Sequence, residues 1–358
     1  MKKILAVLSI LLVVMSLSAC APKKTTYELA LVTDIGTIDD KSFNQGAWEG
    51  VKQYADEKKI TYQYYKPTKA TTAAYVEAIG LAVDGGAKVV VTPGYMFAPA
   101  VFEAQSKYPN VKFVLLDADP HTEDYATFRI DSNVYAIYYA EEQSGFLAGY
   151  AAVKDGYTTL GFMGGMAVPA VVRFGHGFVQ GAEAAAAELS VNVTVKYEYL
   201  NSFAPDPAHQ TKAAGWYAEG VQVIFAAAGG AGLSVMAAAD ATTGAKVIGV
   251  DVDQSNLSNN VITSATKGLT TSVYAALTDY YAGTFKGGQI VTLDVTKNGV
   301  GLPMATSRFA TFNQAAYDAI FAKLVSGEIV VKKDAAKVVD LVVPHVVVTV
   351  IGEETIPQ

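Results

Sequence analysis

The sequence predicts an α/β protein of two doubly wound, parallel-sheet lobes with a ligand cleft between them. Three observations predict it. Short apolar runs alternate with helix-length amphipathic stretches at connections of a few residues, as βαβ units require. The alternation stops near residue 130 and then restarts on the same plan, without an evident sequence repeat. The chain has 358 residues, more than one hydrophobic core usually holds.

The first unit carries the most information. Residues 29–32 form an apolar run that reads as a strand buried on both faces. A polar loop over 33–41 follows, with Asp34, Gly36, Asp39 and Asp40. The next helix presents Ala47, Val51, Tyr54 and Ala55 on its apolar side. Ser42 with Gln45 three residues later fits a capping box, so the helix is expected to begin near Phe43. Further strands are expected at 61–65, 88–92 and 111–116, with helices at 72–84 and 97–106 between them. Gly85-Gly86 ends the first of these helices. After Arg129-Ile130-Asp131-Ser132-Asn133 a long helix is expected as far as Ala152. In the second half, strands are expected at 158–163, 193–197, 221–226 and 246–250. Helices are expected at about 174–189, near 208–217 and after Gly232, and the tail from Ala335 reads as strand-like.

At the front, Lys2 and Lys3 precede an apolar run over 4–17 that ends in Leu17-Ser18-Ala19-Cys20. A short basic start, an apolar stretch too short to span a bilayer comfortably and a small-residue end describe a secretory signal. The Leu-Ser-Ala-Cys ending resembles the lipobox of bacterial lipoproteins, in which the Cys becomes lipid-modified. Cys20 is the single Cys in the chain, so no disulfide can form within it. The expected organisation is a signal over 1–19, a lipidated tether over 20–26, a first lobe of 27–130 plus about 265–290, and a second of 131–264 plus about 291–358.

Composition narrows the function. A formal charge of −7 and the lack of a Lys/Arg cluster argue against nucleic acid. No EF-hand pattern occurs, and His121, His176, His209 and His345 are far apart in sequence, so neither metal nor other cofactor is expected. There is no G-x-S-x-G elbow, and Ala228-Gly229-Gly230-Ala231-Gly232 lacks the spacing of a phosphate loop, which argues against an enzyme. Open α/β sheets bind ligands beyond the carboxyl ends of their strands. Those ends carry Asp34, Asp39 and Asp40; Pro93-Gly94; Asp117 and Asp119; Gly164-Gly165-Met166; Asn201, Phe203 and Asp206; Gly229-Gly230; and Asp251 with Asp253. Carboxylates there suit a neutral solute rich in hydroxyl or N–H donors. Phe43 and Phe203, one from each half, could clamp a flat ring, although composition alone would place both in the core.

Val32-Thr33-Asp34, Ile38-Asp39-Asp40-Lys41-Ser42-Phe43-Asn44-Gln45 and Trp48-Glu49-Gly50 resemble the opening of the basic membrane protein family. Those proteins are substrate-binding lipoproteins of ABC transporters and include the purine nucleoside receptors. Gly145-Phe146-Leu147-Ala148-Gly149-Tyr150, Gly164-Gly165-Met166, Arg173-Phe174 and Gly177-Phe178 with Gly181 continue the likeness. Ile224-Phe225-Ala226-Ala227-Ala228-Gly229-Gly230 and Gly249-Val250-Asp251-Val252-Asp253 extend it, so that it covers about 27–331. The resemblance implies a type I periplasmic-binding-protein fold, a monomer, and a nucleoside of the guanosine, inosine or adenosine class in the cleft. It implies that Phe43 and Phe203 stack on the purine and that Asp117, with Asn44 near it, meets the base edge. It further implies that Asp34, Asp251 and Lys267 hold the ribose, with Gly229 lending backbone contacts and Met166 in the site. Permease and ATPase subunits and a membrane held through the lipid on Cys20 would be the partners. Two departures bear on ligand preference: Ala231 stands where the family would have Thr or Ser, and His176 fills an unusual slot. The rivals are a sugar receptor of the same fold, a surface antigen or adhesin, and an enzyme acting on nucleosides.

Overall fold

The computed structural model describes residues 26–333 and 335–352. The signal segment and Cys20 lie outside the described residues. Strand β1 (Leu29–Val32) is apolar and buried at every position because it lies inside a sheet, between β2 (Tyr62–Tyr65) and β3 (Val89–Pro93). Helix α1 (Phe43–Lys58) follows β1, α2 (Thr72–Asp84) follows β2, and α3 (Ala98–Lys107) links β3 to β4 (Lys112–Leu116). With β5 (Val134–Tyr139) and β11 (Gln289–Leu293) they give a six-stranded sheet, parallel throughout, in the order β11-β5-β4-β3-β1-β2.

The second half repeats the plan with α4 (Glu141–Lys154), β6 (Thr159–Gly164), α5 (Pro169–Leu189), β7 (Val193–Tyr199), α6 (Pro207–Ala218), β8 (Val223–Ala227), α7 (Gly232–Asp240), β9 (Lys246–Asp251) and β10 (Val261–Lys267). Its seven-stranded sheet runs β12-β10-β9-β8-β6-β7-β13, with β12 (Val300–Gly301) the antiparallel member and β13 (Val346–Ile351) parallel at the far edge. Helices α8 (Leu269–Tyr281) and α9 (Gln314–Val325) complete the set among the described residues. In both sheets the chain reverses direction beside the first strand of the half, between β1 and β3 and between β6 and β8. That reversal opens a crevice at the carboxyl ends of the strands.

Period-two alternation sorts each strand's residues between layers. Leu29 and Leu31 join a cluster that continues through α1, α4 and α5 to Phe162 and Phe225 in the second sheet. Ala30 and Val32 face α2 and α3 instead, with Val90, Phe113 and Leu115. The matching outer layer of the second half is Met163, Ile224, Ala226 and Val247 under α6 and α7.

Three crossings join the halves: Tyr139 to Glu141, Lys267 to Leu269, and 294–299. They are hydrogen-bonded to one another, Ala140 N to Leu293 O at 3.0 Å and Gly268 N to Gly299 O at 2.8 Å. The first expected boundary, at 130/131, and the expected helix up to Ala152 are both corrected here. Residues 134–139 form β5, paired with β4 in the first sheet, so the chain crosses only after Tyr139. Val134-Tyr135-Ala136-Ile137-Tyr138-Tyr139 is a wholly apolar and aromatic run, and a fully buried strand has no period to distinguish it from a buried helix. Likewise 265–267 lie in the second sheet and 291–293 in the first.

Two helix crossings depend on glycine. A Cβ on Gly145 would lie 2.1 Å from Phe174 O, and one on Gly149 2.0 Å from Phe178 O. From the other helix, a Cβ on Gly177 would lie 2.1 Å from Glu142 O and one on Gly181 1.9 Å from Phe146 O. Helices α4 and α5 therefore touch backbone to backbone, and no larger residue fits. Gly50 lets α1 approach α8 in the same way, with Thr270 O 2.7 Å from its would-be Cβ. Gly149→Ala is expected to lower the urea midpoint by the equivalent of about 1–3 kcal/mol, because the obstructing atom is backbone. Gly215→Ala, in α6 with nothing within 4 Å, is expected to raise it by about 0.5–1 kcal/mol through helix propensity.

Candidate functional site

The loop after β1 is held by Asp40. Its Oδ1 accepts from the backbone N–H groups of Ser42 (2.9 Å) and Gln45 (3.0 Å), and its Oδ2 from that of Asn44 (3.0 Å). A carboxylate among the first N–H groups of a helix meets both the orphan donors and the positive end of the dipole. The expected Ser42–Gln45 box is therefore corrected: Ser42 makes no side-chain cap, and Asp40 does that work. The Ser42 hydroxyl instead donates to Asp251 Oδ2 of the second half at 2.5 Å. Asn44 Nδ2 donates to Asp34 Oδ1 and to Asp40 Oδ2, both at 2.9 Å, so the Asn44 amide orients two acids. Asp34 Oδ1 also accepts from Gly36 N at 2.7 Å.

Asp117 just beyond β4 and Asp251 at the end of β9 occupy equivalent places in the two halves. Both adopt left-handed backbone, φ 63° and 65°. That conformation costs a non-glycine residue about 1–3 kcal/mol and clusters at functional sites. Here the two strained turns present two carboxylates to one cavity.

Between them lies the Lys267 ammonium, from the end of β10. Its Nζ is 2.6 Å from Asp117 Oδ2 and 3.0 Å from Glu141 Oε1, and only 2% of the side chain is exposed. It also sits over the rings of Phe43 at 4.8 Å, Phe174 at 5.3 Å and Tyr139 at 5.4 Å. Burial pulls the ammonium down, but Asp117, Glu141 and Asp251 outweigh burial and keep it above the usual lysine range. Burial pushes Asp117 up to about 7, against the attraction of Lys267. Burial likewise raises Asp34 to about 6, against its bonds from Gly36 and Asn44, and raises Asp251 against Lys267 and Ser42. Asp117 Oδ1 is buried and has no hydrogen-bond partner. It is an acceptor without a donor, on a residue that lines a cavity.

That cavity is lined by Asp34, Phe43, Asn44, Asp117, Phe203, Gly229, Asp251 and Lys267, eight of the nine residues expected to bind ligand. Phe203 rests against two glycines; a Cβ on Gly165 would lie 2.3 Å from its ring, and one on Gly229 3.3 Å. Met166 does not line the cavity. The chain turns there, Val168 N donating to Met166 O at 2.8 Å, and Val168, Ala170 and Val171 form that wall instead. Of the other strand-end acids, Asp119 accepts from the Tyr138 hydroxyl and Asp253 from that of Thr306. Sequence reasoning missed Tyr95, Met96 and Phe174 in the lining and Glu141 behind it. Only Glu141 left a signal, as the first of two acids opening a helix whose later turns are apolar. Among the described residues no group of three or more His, Cys, Asp or Glu side chains could hold a metal ion, and no helix is long and apolar enough to cross a membrane.

The raised Asp34 acid has a sign that can be checked. Because the fold favours its protonated form, its contribution to the stability of the empty protein is present at low pH and is lost as pH rises through about 6. Asp34→Asn is therefore expected to gain on the wild type in chemical denaturation between pH 4.5 and 7.5, with the difference growing through that pH. A constant difference would contradict the assignment.

Residues 27–335 match the Bmp family, described as ABC transporter substrate-binding protein PnrA-like. The ABC transporter nucleoside-binding protein BmpA of Lactococcus lactis subsp. cremoris is 32% identical over 308 residues, 79% of this chain and 84% of that protein. The CD4+ T-cell-stimulating antigen of Listeria monocytogenes is 31% identical over 326 residues, 85% of this chain and 87% of that protein. Among solved structures, an ABC transporter solute-binding protein from Aeropyrum pernix superposes with a TM-score of 0.75 at 22% identity, covering 88% of this chain and 96% of its own. That likeness confirms a type I periplasmic-binding topology. The chain belongs to the Bmp family of PnrA-like ABC transporter substrate-binding proteins.

Proposed function

We propose that this chain binds a purine nucleoside between its two lobes and delivers it to the permease and ATPase of an importer, as a monomer held by lipid on Cys20 at the extracytoplasmic face of the cell membrane. The observation that carries this reading is the pairing of Phe43 and Phe203, one ring from each half, in a cavity whose polar wall is Asp34, Asp117 and Asp251. Two rings facing one space suit a flat heterocycle. The unpartnered Asp117 Oδ1 suits an N–H on the base edge. Asp34, Asp251 and the remaining donor capacity of Lys267 suit ribose hydroxyls, each charge-assisted bond contributing about 1.5–3 kcal/mol. Gly229 offers backbone to the ligand beside Phe203. The family and the name of its Lactococcus relative point the same way.

A thermal-shift screen of nucleosides, free bases and sugars tests the reading directly. A nucleoside at 100 times its dissociation constant is expected to stabilise the fold by about 2.7 kcal/mol, with free sugars inert. Stabilisation by sugars alone would make this a sugar receptor. Phe43→Ala and Phe203→Ala are each expected to weaken nucleoside binding by about 1–3 kcal/mol in calorimetric titration. Their denaturation midpoints should move less than the roughly 3–5 kcal/mol of a truncated core Phe, since both rings are only half-buried. Asp251→Ala is expected to cost nucleosides roughly ten- to a hundredfold and free bases little. The anchor has its own test. Cys20→Ala should leave the membrane fraction while keeping ligand affinity, since stable attachment takes more than one acyl chain.

A further inference from the structure

Two cross-lobe hydrogen bonds are donated by residues outside the ligand cavity. Gln254 is 2% exposed and Ser42 is fully buried, yet neither lines the cavity. Gln254 is fixed within its own half: its backbone N donates to Ser264 Oγ, and its Oε1 accepts from Val250 N, each at 3.0 Å. Gly249 makes room for this fold-back, since a Cβ there would lie 2.4 Å from Gln254 Oε1. What remains of the amide, Nε2, crosses to the other half and donates to Lys41 O at 2.8 Å. Lys41 stands in left-handed backbone, φ 59°, directly before Ser42. Ser42 in turn is fixed in the first half, its N donating to Asp40 Oδ1 at 2.9 Å, while its hydroxyl crosses to Asp251 Oδ2 at 2.5 Å.

Each residue is thus held at home, Ser42 by one polar group and Gln254 by two, and sends one more across the cleft. We propose that Ser42 and Gln254 are positioning residues that latch the two lobes shut and so set the residence time of the bound ligand. The chemistry suits a latch that must release. Both crossing bonds are polar, so on opening their donors and acceptors exchange partners with water and the net cost of each is modest. An apolar seam would resist opening through all its buried area. The Ser42 bond also ties closure to the ligand site, because Asp251 is fixed from the far lobe only when the lobes meet. The inference rests on ligand binding in this cavity, and not on that ligand being a nucleoside.

Gln254→Glu separates the two halves of the device. It keeps size and the acceptor for Val250 N but sets an oxygen against Lys41 O in place of the donor. Ser42→Ala removes the other crossing bond, and Ser42→Thr restores a hydroxyl. In stopped-flow binding with inosine and guanosine as probes, Gln254→Glu and Ser42→Ala are expected to speed dissociation roughly ten- to a hundredfold, with association changed by no more than a few fold. Ser42→Thr should recover the slow rate. Small-angle X-ray scattering should find a larger radius of gyration for the empty Gln254→Glu and Ser42→Ala proteins than for the empty wild type. Unchanged dissociation together with unchanged radius in Gln254→Glu would overturn the latch. If neither probe binds the wild type, the nucleoside reading fails, and the scattering comparison alone decides the latch.

Discussion

Everything in the site is arranged around one buried cation. Withdrawing an ammonium from water carries a penalty of several kcal/mol, which only close, well-placed anions can offset. Lys267 meets that condition with partners from both sides of the cleft: Asp117 belongs to the first sheet, Glu141 to the helix that begins the second half, and three aromatic faces complete the enclosure. In this arrangement groups from both halves take the place of water around the cation. Its surroundings nevertheless remain acidic, since Asp34, Asp117 and Asp251 share one cavity. An anion such as a phosphate would meet carboxylates there, whereas hydroxyl and N–H donors would meet acceptors.

The frame that holds this arrangement is set by close helix contacts. The α4–α5 crossing brings backbones together at Gly145, Gly149, Gly177 and Gly181, and α4 begins with Glu141 at its first residue. Phe174, which packs its ring under Lys267, lies on the facing helix α5. A shift of one helix against the other would therefore move an ion-pair partner and an aromatic wall together. Rigid crossings here, and polar exchangeable bonds at Ser42 and Gln254, divide the molecule into parts that keep their shape and a boundary that can part.

Much of this was legible in the sequence, for physical reasons that also explain the failures. Strands bounded by turn residues were readable because the helix and strand periods change at each boundary, and four of the acids just past those boundaries, Asp34, Asp40, Asp117 and Asp251, line one cavity. Asp34, Asp117 and Asp251 came from that rule, and eight of the nine expected ligand residues line the cavity. The strand 134–139 was not readable because burial on both faces erases its alternation. Ser42 was misread because a hydroxyl at a helix start has an obvious local use, and its partner Asp251 lies 209 residues away. Met166 stands outside the lining because a turn of two residues decides which side chain faces inward. Glu141 went unseen because an acid in a helix looks solvated until the tertiary fold buries it.

The matching strand orders of the two sheets have a last consequence. They give the cleft an approximate twofold pseudo-symmetry, in which Asp117 and Asp251 are counterparts with nearly the same backbone twist. The strands that follow them break it: β5 ends in Tyr139 and β10 in Lys267. The two halves therefore place different chemistry at matching strand ends, a phenol in one and an ammonium in the other. The counterparts are nevertheless tied to the opposite half, Asp117 through Lys267 and Asp251 through Ser42. A change at either acid is therefore felt on both sides of the cleft.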